Sequence, residues 1–305
     1  MSYFKVTILG CGSATPTLRH FPSAQAVEYR NRIFLVDCGE GTQLQMRRFG
    51  LSYAKVTDIF ISHLHGDHFL GLPGLLSTMA LHGVEGTVTV HVFKEGADIL
   101  QRIMDVFCRP DTFEIRYDII AKGESKVLFE DGNMQVECFP LYHRVACTGF
   151  IFREKPKQRH LKGEVAKFYG VPHWRIPEIK AGADYVLEDG TVVPNSALTS
   201  DADPVMSYAY CSDTAFDERV ARAVSGVDVL YHEATYGDDS EYKAAPRGHS
   251  TARQAAKIAV LAGVRRLVIG HYSKTYKDSA VLAAEAREVF ADVADASEGM
   301  VIELC

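Results

Sequence analysis

Three histidines and an aspartate stand within six residues, in the segment 63–68, which reads HLHGDH. In an extended segment alternate side chains point the same way, so His63 and His65 can bind one ion. After the glycine turn, Asp67 and His68 can face a second ion beside the first. Imidazole and carboxylate groups suit zinc-like metals, and no cysteine takes part. The spacing therefore predicts a site for two metal ions.

The elements around this segment predict how it is positioned. An apolar run over 59–62 indicates a buried strand directly before the first histidine. Apolar residues then recur at helical spacing, which predicts a helix that continues to about residue 81, at Leu70, Leu72, Leu75, Leu76 and Met79. The four polar residues are thus expected on a tight loop between a strand and a helix.

Other titratable residues stand at the ends of predicted strands. His143 ends a strand that begins near residue 134, and His271 follows a strand over 266–269. Asp213 follows a strand over 205–211 and precedes a helix over 215–224, so it can cap that helix or bridge two cations. Asp37 follows the strand over 33–36 and can cap the helix over 42–49 or orient a metal-binding histidine.

The totals describe an ordinary globular chain. It has 305 residues, 47% of them apolar, and a formal net charge of −6, which excludes a uniformly basic nucleic-acid binder. The seven cysteines are scattered, without a C-x-x-C pair, as expected of reduced thiols. No stretch has the features of a signal peptide or the ~20 apolar residues of a membrane span. These features predict a cytoplasmic protein.

One segment differs in charge from the rest. Residues 153–180 contain eight Lys and Arg residues against three Glu. A solvated insertion is one interpretation, and a phosphate-binding arm is the other, which the local excess on an acidic protein favours. The candidate phosphate-binding residues are Lys155, Lys157, Arg159 and Lys162.

Four motifs together resemble the ribonuclease Z (tRNA 3′-processing endonuclease) branch of the metallo-β-lactamase superfamily. They are the metal-binding segment and its helix, Ser212-Asp213-Thr214, His232-Glu233-Ala234-Thr235 and His249-Ser250-Thr251. They occur in the order of the family, and the resemblance covers most of the chain. It implies an αββα sandwich formed by one domain, residues 1–305, with a basic protruding arm inserted at 153–190.

The resemblance also implies two zinc ions per chain. One would be bound by His63, His65, His143 and Asp213. The other would be bound by Asp67, His68, Asp213 and His271. Asp37 would support these ligands from behind, as it does in relatives.

The implied activity is removal of the 3′ trailer from precursor tRNA, which leaves a tRNA 3′-hydroxyl and a 5′-phosphorylated trailer. A water activated by the two metals would attack the phosphorus atom, and Asp67 would accept its proton. His249, held by Glu233, would donate a proton to the leaving oxygen. The family also implies a homodimer in which the arm of one subunit presents tRNA to the other.

Two alternatives share the metal site. One is a hydrolase of small phosphodiesters or esters, which would not need the basic arm. The other is a non-catalytic RNA-binding module with a structural metal site, which would show closed coordination by four protein ligands per metal. Manganese or iron would also fit the ligand set. The loop 13–22 does not keep the basic pattern of many relatives, so cleavage after the discriminator base or after CCA stays open.

Overall fold

A computed structural model describes residues 4–304. Cys305, one of the seven cysteines, lies outside the described residues. The other six are free thiols, and five of them are buried. None of the helices in the described range is both long and apolar enough to cross a membrane.

The strands alternate with helices through most of the chain. The strands described are β1 Phe4–Gly10, β2 Ala24–Tyr29, β3 Arg32–Val36, β4 Val56–Phe60, β5 Gly86–Phe93, β6 Phe113–Ile120, β7 Lys126–Glu130, β8 Met134–Tyr142, β9 Ala146–Glu154, β10 His160–Leu161, β11 Tyr185–Val186, β12 Val192–Val193, β13 Thr199–Ser200, β14 Ser207–Cys211, β15 Val229–Glu233, β16 Arg266–Gly270, β17 Val293–Asp295 and β18 Val301–Glu303. The α-helices described are α1 Thr42–Arg48, α2 Gly66–Phe69, α3 Leu72–Leu81, α4 Lys94–Phe107, α5 Gly163–Phe168, α6 Ile176–Lys180, α7 Asn195–Leu198, α8 Glu218–Ala223, α9 Glu241–Arg247, α10 Ala252–Ala262 and α11 Ala280–Arg287.

The chain divides into two compact units. The larger unit, here called the body, holds residues 4–130, 135–153 and 206–304. The smaller unit holds residues 131–134 and 154–205. Its own small core contains Ile179, Val193 and Leu198.

Two seven-stranded sheets form the body. The first has the order β18-β1-β2-β3-β4-β5-β6, and the second has the order β17-β16-β15-β14-β9-β8-β7. β3 to β6 pair in parallel, as do β14 to β17. Parallel strands need crossover connections, and helices supply most of them.

Alternation along the strands explains the layers. In β3, Ile33 and Leu35 point into a core that includes helix residues such as Met46 and Leu76. The intervening Phe34 points the other way and contacts Phe152 of the second sheet, with ring centroids 5.8 Å apart. The second sheet is covered in turn by α10 and α11. The body is thus a helix–sheet–sheet–helix sandwich, which confirms the predicted fold.

Some predicted boundaries were wrong. The strand before the metal-binding segment is Val56–Phe60 rather than 59–62. The helix after it is split into α2 and α3, because Gly71 and Pro73 interrupt it. The helix after Asp213 begins only at Glu218, and its N-cap is Asp217, whose side chain accepts from the backbone N–H of Arg219.

Candidate active site

Most predicted site residues of the body lie at the carboxyl ends of its parallel strands, while His143 follows the antiparallel strand β8 and His249 precedes α10. In the second sheet Cys211 lies opposite His232, and Glu233 lies opposite Gly270. The residues that follow these positions therefore emerge at one edge of the sheet. In the first sheet, Asp37 follows β3 and the segment 63–68 follows β4 by two residues. This is the edge at which ligands bind in open α/β sheets.

The first group of donor atoms comes from His63, His65, His143 and Asp213. The Nε2 of His63 lies 3.0 Å from the Nδ1 of His65, and the Nε2 of His143 lies 3.3 Å from that same Nδ1. The Oδ2 of Asp213 lies 3.5 Å from His63 Nε2 and 3.8 Å from His143 Nε2. Four donors thus converge on one point.

The second group comes from Asp67, His68 and His271, with Asp213 again. The two Nε2 atoms of His68 and His271 are 3.2 Å apart. The Oδ2 of Asp67 lies 3.5 Å from His68 Nε2 and 3.4 Å from His271 Nε2. The Oδ1 of Asp213 lies 3.5 and 3.1 Å from those nitrogens. Asp213 therefore gives one carboxylate oxygen to each group.

These separations fit two tetrahedral metal ions. A tetrahedral ion with bonds of about 2.0–2.1 Å has ligand atoms about 3.3 Å apart, close to the nine separations above. Asp213 Oδ1 is buried and, among the described residues, takes part in no hydrogen bond. A buried carboxylate oxygen without a donor is costly, and a cation would satisfy it. Since the cap of the next helix is Asp217, capping does not account for Asp213.

Asp37 lies behind the second group of ligands. Its Oδ2 is 2.7 Å from the Nδ1 of His68, and the Ser62 backbone N–H donates to its Oδ1 at 2.7 Å. The hydroxyls of Ser62 and Tyr210 donate to Oδ2 at 2.8 and 2.7 Å. Asp37 therefore holds the proton of His68 on Nδ1 and leaves Nε2 free to bind a metal. It does not cap α1, whose N-cap is Gly41.

Two other ligand histidines are oriented in the same manner. His143 Nδ1 lies 2.7 Å from the carbonyl oxygen of Gly248, and His271 Nδ1 lies 2.9 Å from the hydroxyl of Thr235. In both rings Nε2 is the nitrogen that faces the donor group. Such outer partners fix the ring and its tautomer.

Burial and charge set the protonation of the two groups differently. Burial lowers the pKa of His63, His65 and His143, so these imidazoles are neutral and carry a lone pair for a metal. Burial would also lower the pKa of His68, but the carboxylates of Asp213, Asp37 and Asp67 outweigh it and raise that pKa. The second group therefore has an excess of negative charge that a cation would neutralise.

Glu233 and His249 form a hydrogen-bonded pair beside these ligands. His249 Nδ1 lies 3.0 Å from Glu233 Oε1. Glu233 is fully buried and also accepts from the backbone N–H groups of Thr214, Thr235 and Ser250. Burial would lower the pKa of His249, but Glu233 outweighs it and raises that pKa. Although His249 is near Asp213, at 3.9 Å, its Nδ1 is closer to Glu233.

A cavity of about 720 Å³ opens onto the site. It is lined by Asp67, Asp213, His249 and His271, together with residues that no motif indicated. Those residues include the cations Arg144, Arg247 and Lys274. The backbone N–H of Ala14, also in the lining, donates to Asp67 Oδ2 at 2.6 Å. Ala14 has a left-handed φ of 53°, a conformation that its residue type does not predict.

The predicted phosphate-binding residues lie in the smaller unit, and the structure shows contacts for three of them within it. Lys157 pairs with Glu154 at 2.7 Å, Arg159 with Asp201 at 2.9 Å, and Lys162 Nζ donates to the Ser196 carbonyl at 2.9 Å. Residues 154–205 contain seven Lys and Arg residues but eight Asp and Glu residues. The basic excess of 153–180 is therefore balanced by acidic residues that follow it.

Two family models match parts of the chain. "Beta-lactamase superfamily domain" matches residues 201–272, which include Asp213, Glu233, His249 and His271. "Anti-Pycsar protein Apyc1" matches residues 4–105, which include the segment 63–68.

Curated relatives match the whole chain. "Ribonuclease Z" of Parabacteroides distasonis is 46% identical over 98% of this chain and 99% of its own. "Ribonuclease Z" of Bacteroides fragilis is 43% identical over the full length of both. Among solved structures, the short form of human tRNase Z is similar with a TM-score of 0.70 and 26% identity over 99% of both chains. The resemblance inferred from the motifs is thereby confirmed, and the chain belongs to the ribonuclease Z family of the metallo-β-lactamase superfamily.

Proposed function

We propose that this protein is a zinc-dependent endoribonuclease that removes the 3′ trailer from precursor tRNA. The main observation behind this proposal is that Asp67, Asp213, His249 and His271 line one cavity. Two groups of metal donors and a buried carboxylate–imidazole pair therefore meet at this cavity. The ribonuclease Z and tRNase Z names of the relatives indicate tRNA as the substrate.

The two donor groups would each hold one zinc ion. The first uses His63, His65 and His143, the second uses Asp67, His68 and His271, and Asp213 is shared. When bound, the ions supply an activated water for in-line attack and neutralise charge on the phosphoryl oxygens. Each ion would have three ligand residues of its own and the shared carboxylate of Asp213. These nitrogen and oxygen donors favour zinc over softer metals.

Proton transfer falls to residues that surround the same cavity. Asp67 lies beside His68 and His271 and accepts the proton of the attacking water, while Ala14 N–H holds its Oδ2 in place. His249 uses Nδ1 for Glu233, so the proton available to the substrate is on Nε2. Donation to the 3′ oxygen of the tRNA releases a 3′-hydroxyl and leaves the phosphate on the trailer. A purely structural site would not need this pair.

We propose that the smaller unit binds the tRNA. Lys155, Lys157, Arg159 and Lys162 are the proposed phosphate contacts. Trp174 is exposed, with the Arg175 guanidinium 5.4 Å from its ring centroid. Exposed aromatic and guanidinium faces are surfaces on which unpaired bases stack. The unit would therefore contribute affinity rather than chemistry.

A homodimer is proposed from an apolar stripe on α4. Ile99, Val106 and Phe107 are 50%, 76% and 80% exposed and follow helical spacing. Leu100 and Met104 of the same helix are buried. A second copy of the chain would cover the stripe, and replacing Val106 and Phe107 by aspartate would then give a monomer in sedimentation.

Cleavage of a precursor tRNA in the presence of zinc tests the proposal. The wild type should release a trailer with a 5′-phosphate, Asp213→Ala should be inactive, and His249→Ala should keep its metals but cut slowly. Turnover of bis(p-nitrophenyl) phosphate without any cutting of precursor tRNA would instead favour the hydrolase of small phosphodiesters.

A second set of variants separates binding of tRNA from chemistry. Changing the four proposed phosphate contacts to glutamine should impair tRNA cleavage and spare the small phosphodiester. The matched control neutralises four exposed cations of the body that lie outside the apolar stripe of α4, Arg48, Lys55, Arg116 and Lys122. Equal loss of tRNA cleavage in both sets would remove the role proposed for the smaller unit.

A further inference from the structure

A second cluster of metal-binding side chains lies outside the proposed active site. It consists of Cys11, His20 and Glu298. Cys11 directly follows β1, His20 lies in the loop between β1 and β2, and Glu298 lies between β17 and β18. Cys11 is fully buried, and the side chains of His20 and Glu298 are 23% and 13% exposed. The β1–β2 connection and the segment between β17 and β18, which are distant in sequence, therefore bring a thiol, an imidazole and a carboxylate together.

The donor atoms have the separations expected around one ion. The Sγ of Cys11 lies 3.4 Å from His20 Nδ1 and 3.7 Å from Glu298 Oε1, and His20 Nδ1 lies 3.1 Å from Glu298 Oε2. A tetrahedral zinc with a thiolate bond of about 2.3 Å has sulfur about 3.5 Å from its other ligands. The nitrogen and oxygen ligands are about 3.3 Å apart around such an ion. Each pair of residues therefore has donor atoms at a fitting separation, with Glu298 facing the thiol through Oε1 and the imidazole through Oε2.

We infer that Cys11, His20 and Glu298 bind a further divalent metal ion of the zinc class, in a structural role. The site is independent of the proposed nuclease activity. Thiolate, imidazole and carboxylate are the three donor types that zinc uses in proteins. A water or a backbone carbonyl would complete the coordination, and the Ala296 carbonyl oxygen lies 3.5 Å from Cys11 Sγ.

Binding of a divalent ion would exchange a proton for a metal at Cys11. Burial and the nearby Glu298 raise the pKa of the Cys11 thiol. A bound divalent ion would form the metal–sulfur bond and release the thiol proton to solvent.

The ion would fasten the loop that lines the active-site cavity. The Phe21 backbone N–H donates to Glu298 at 2.8 Å, and Arg19 reaches the Lys277 carbonyl at 3.1 Å. Ser13, Ala14 and Thr15 of the same loop line the cavity. A metal bound by Cys11, His20 and Glu298 would therefore hold this loop against the segment between β17 and β18.

Substitution with cobalt tests the inference. The two donor groups of the proposed active site contain no sulfur, so within residues 4–304 the Cys11 cluster is the group expected to give a thiolate-to-cobalt charge-transfer band. Wild-type protein loaded with Co²⁺ should show this band in the near ultraviolet, and Asp213→Ala should retain it. Cys11→Ser and His20→Gln should lose it, and each should bind one metal ion fewer than wild type.

The half-buried Cys108 provides the matched control, because Cys108→Ala should leave the band unchanged. Circular dichroism should show that Cys11→Ser and His20→Gln are folded, so that loss of the band reports the site. Absence of the band in wild type, or an unchanged band in folded Cys11→Ser, would overturn the inference. Since the readout is spectroscopic, its failure is distinct from a failure to cleave tRNA.

Discussion

Replacing Asp37 by asparagine should weaken metal binding without changing any ligand. Asp37 is fully buried and accepts four hydrogen bonds, one on Oδ1 and three on Oδ2. An amide of the same shape has only one oxygen. If the NH₂ group of the asparagine faces the backbone N–H of Ser62, two hydrogen-bond donors point at each other without an acceptor. If it faces His68, the ring must move its proton to Nε2, the nitrogen that would bind the metal.

The expected magnitude follows from the role of Asp37. Loss of an outer partner of a metal-bound histidine costs about 10–100-fold in metal affinity, or about 1.4–2.8 kcal/mol. The loss should fall on the ion held by His68, while the ion of the first group is retained. Titration against a chromogenic chelator would measure this as weaker binding of one of the two active-site ions, and cleavage of precursor tRNA should fall in parallel.

Asp58→Asn is the matched control. Asp58 is a buried carboxylate that also contacts a histidine, with His91 Nε2 at 3.1 Å, but it lies outside the donor groups. It should alter stability and leave the metal affinities unchanged. If Asp37→Asn binds both ions and cleaves as wild type does, Asp37 does not set the tautomer of His68 and the assignment of the second group is incorrect.

Three other predictions concern single residues. Gly248→Ala should lower the free energy of unfolding by about 1–2 kcal/mol and reduce activity, because Gly248 has a φ of 72° and an added Cβ would lie 2.7 Å from His143 Nδ1. Thermal melting and kcat measure these effects, and an unchanged melting temperature would contradict the prediction. Glu233→Gln should lower kcat about 10²-fold while elemental analysis still finds the metal content of wild type, and loss of the active-site metals instead would assign Glu233 a structural role. Burial would lower the pKa of His91, but its hydrogen bonds to Asp118 and Asp58 outweigh burial and raise that pKa. Protonated His91 therefore stabilises the fold below pH ~6.5, and this stabilisation is lost as the pH rises through the pKa of His91 in the folded state. Urea unfolding should therefore show His91→Gln to be about 2 kcal/mol less stable than wild type in acid and closer to it in alkali, and a gap independent of pH would refute this.

The candidate metal-binding residues were accessible from sequence because each belongs to a short local pattern. The segment 63–68 shows its chemistry within six residues, and His143, Asp213 and His271 each follow an apolar run. Strand ends are where parallel sheets place functional groups, so separate patterns pointed to one edge. Which histidine nitrogen faces the ion depends on distant partners such as Gly248 and Thr235, which no local pattern reveals.

Other features depend on contacts that sequence spacing does not encode. The sequence left two roles open for Asp213, capping of the next helix or bridging of two cations. Because α8 begins only at Glu218, Asp213 does not cap it. The strand Ala146–Glu154 was not predicted, although it is central in the second sheet. The charge of the smaller unit was overestimated, because the basic run was considered without the acidic residues that pair with it, such as Asp201.

The proposed ligands come from both sheets, so the site is complete only when the two sheets are packed together. Loops after the first sheet supply His63, His65, Asp67 and His68, and the second sheet supplies His143, Asp213 and His271. Asp213 contacts both donor groups, so separating the sheets would dismantle both at once. Metal binding therefore stabilises the packed sandwich by mass action, because only the packed state offers the complete donor groups. The hydrogen bond from Tyr210 of the second sheet to Asp37 of the first directly joins this packing to the orientation of a ligand.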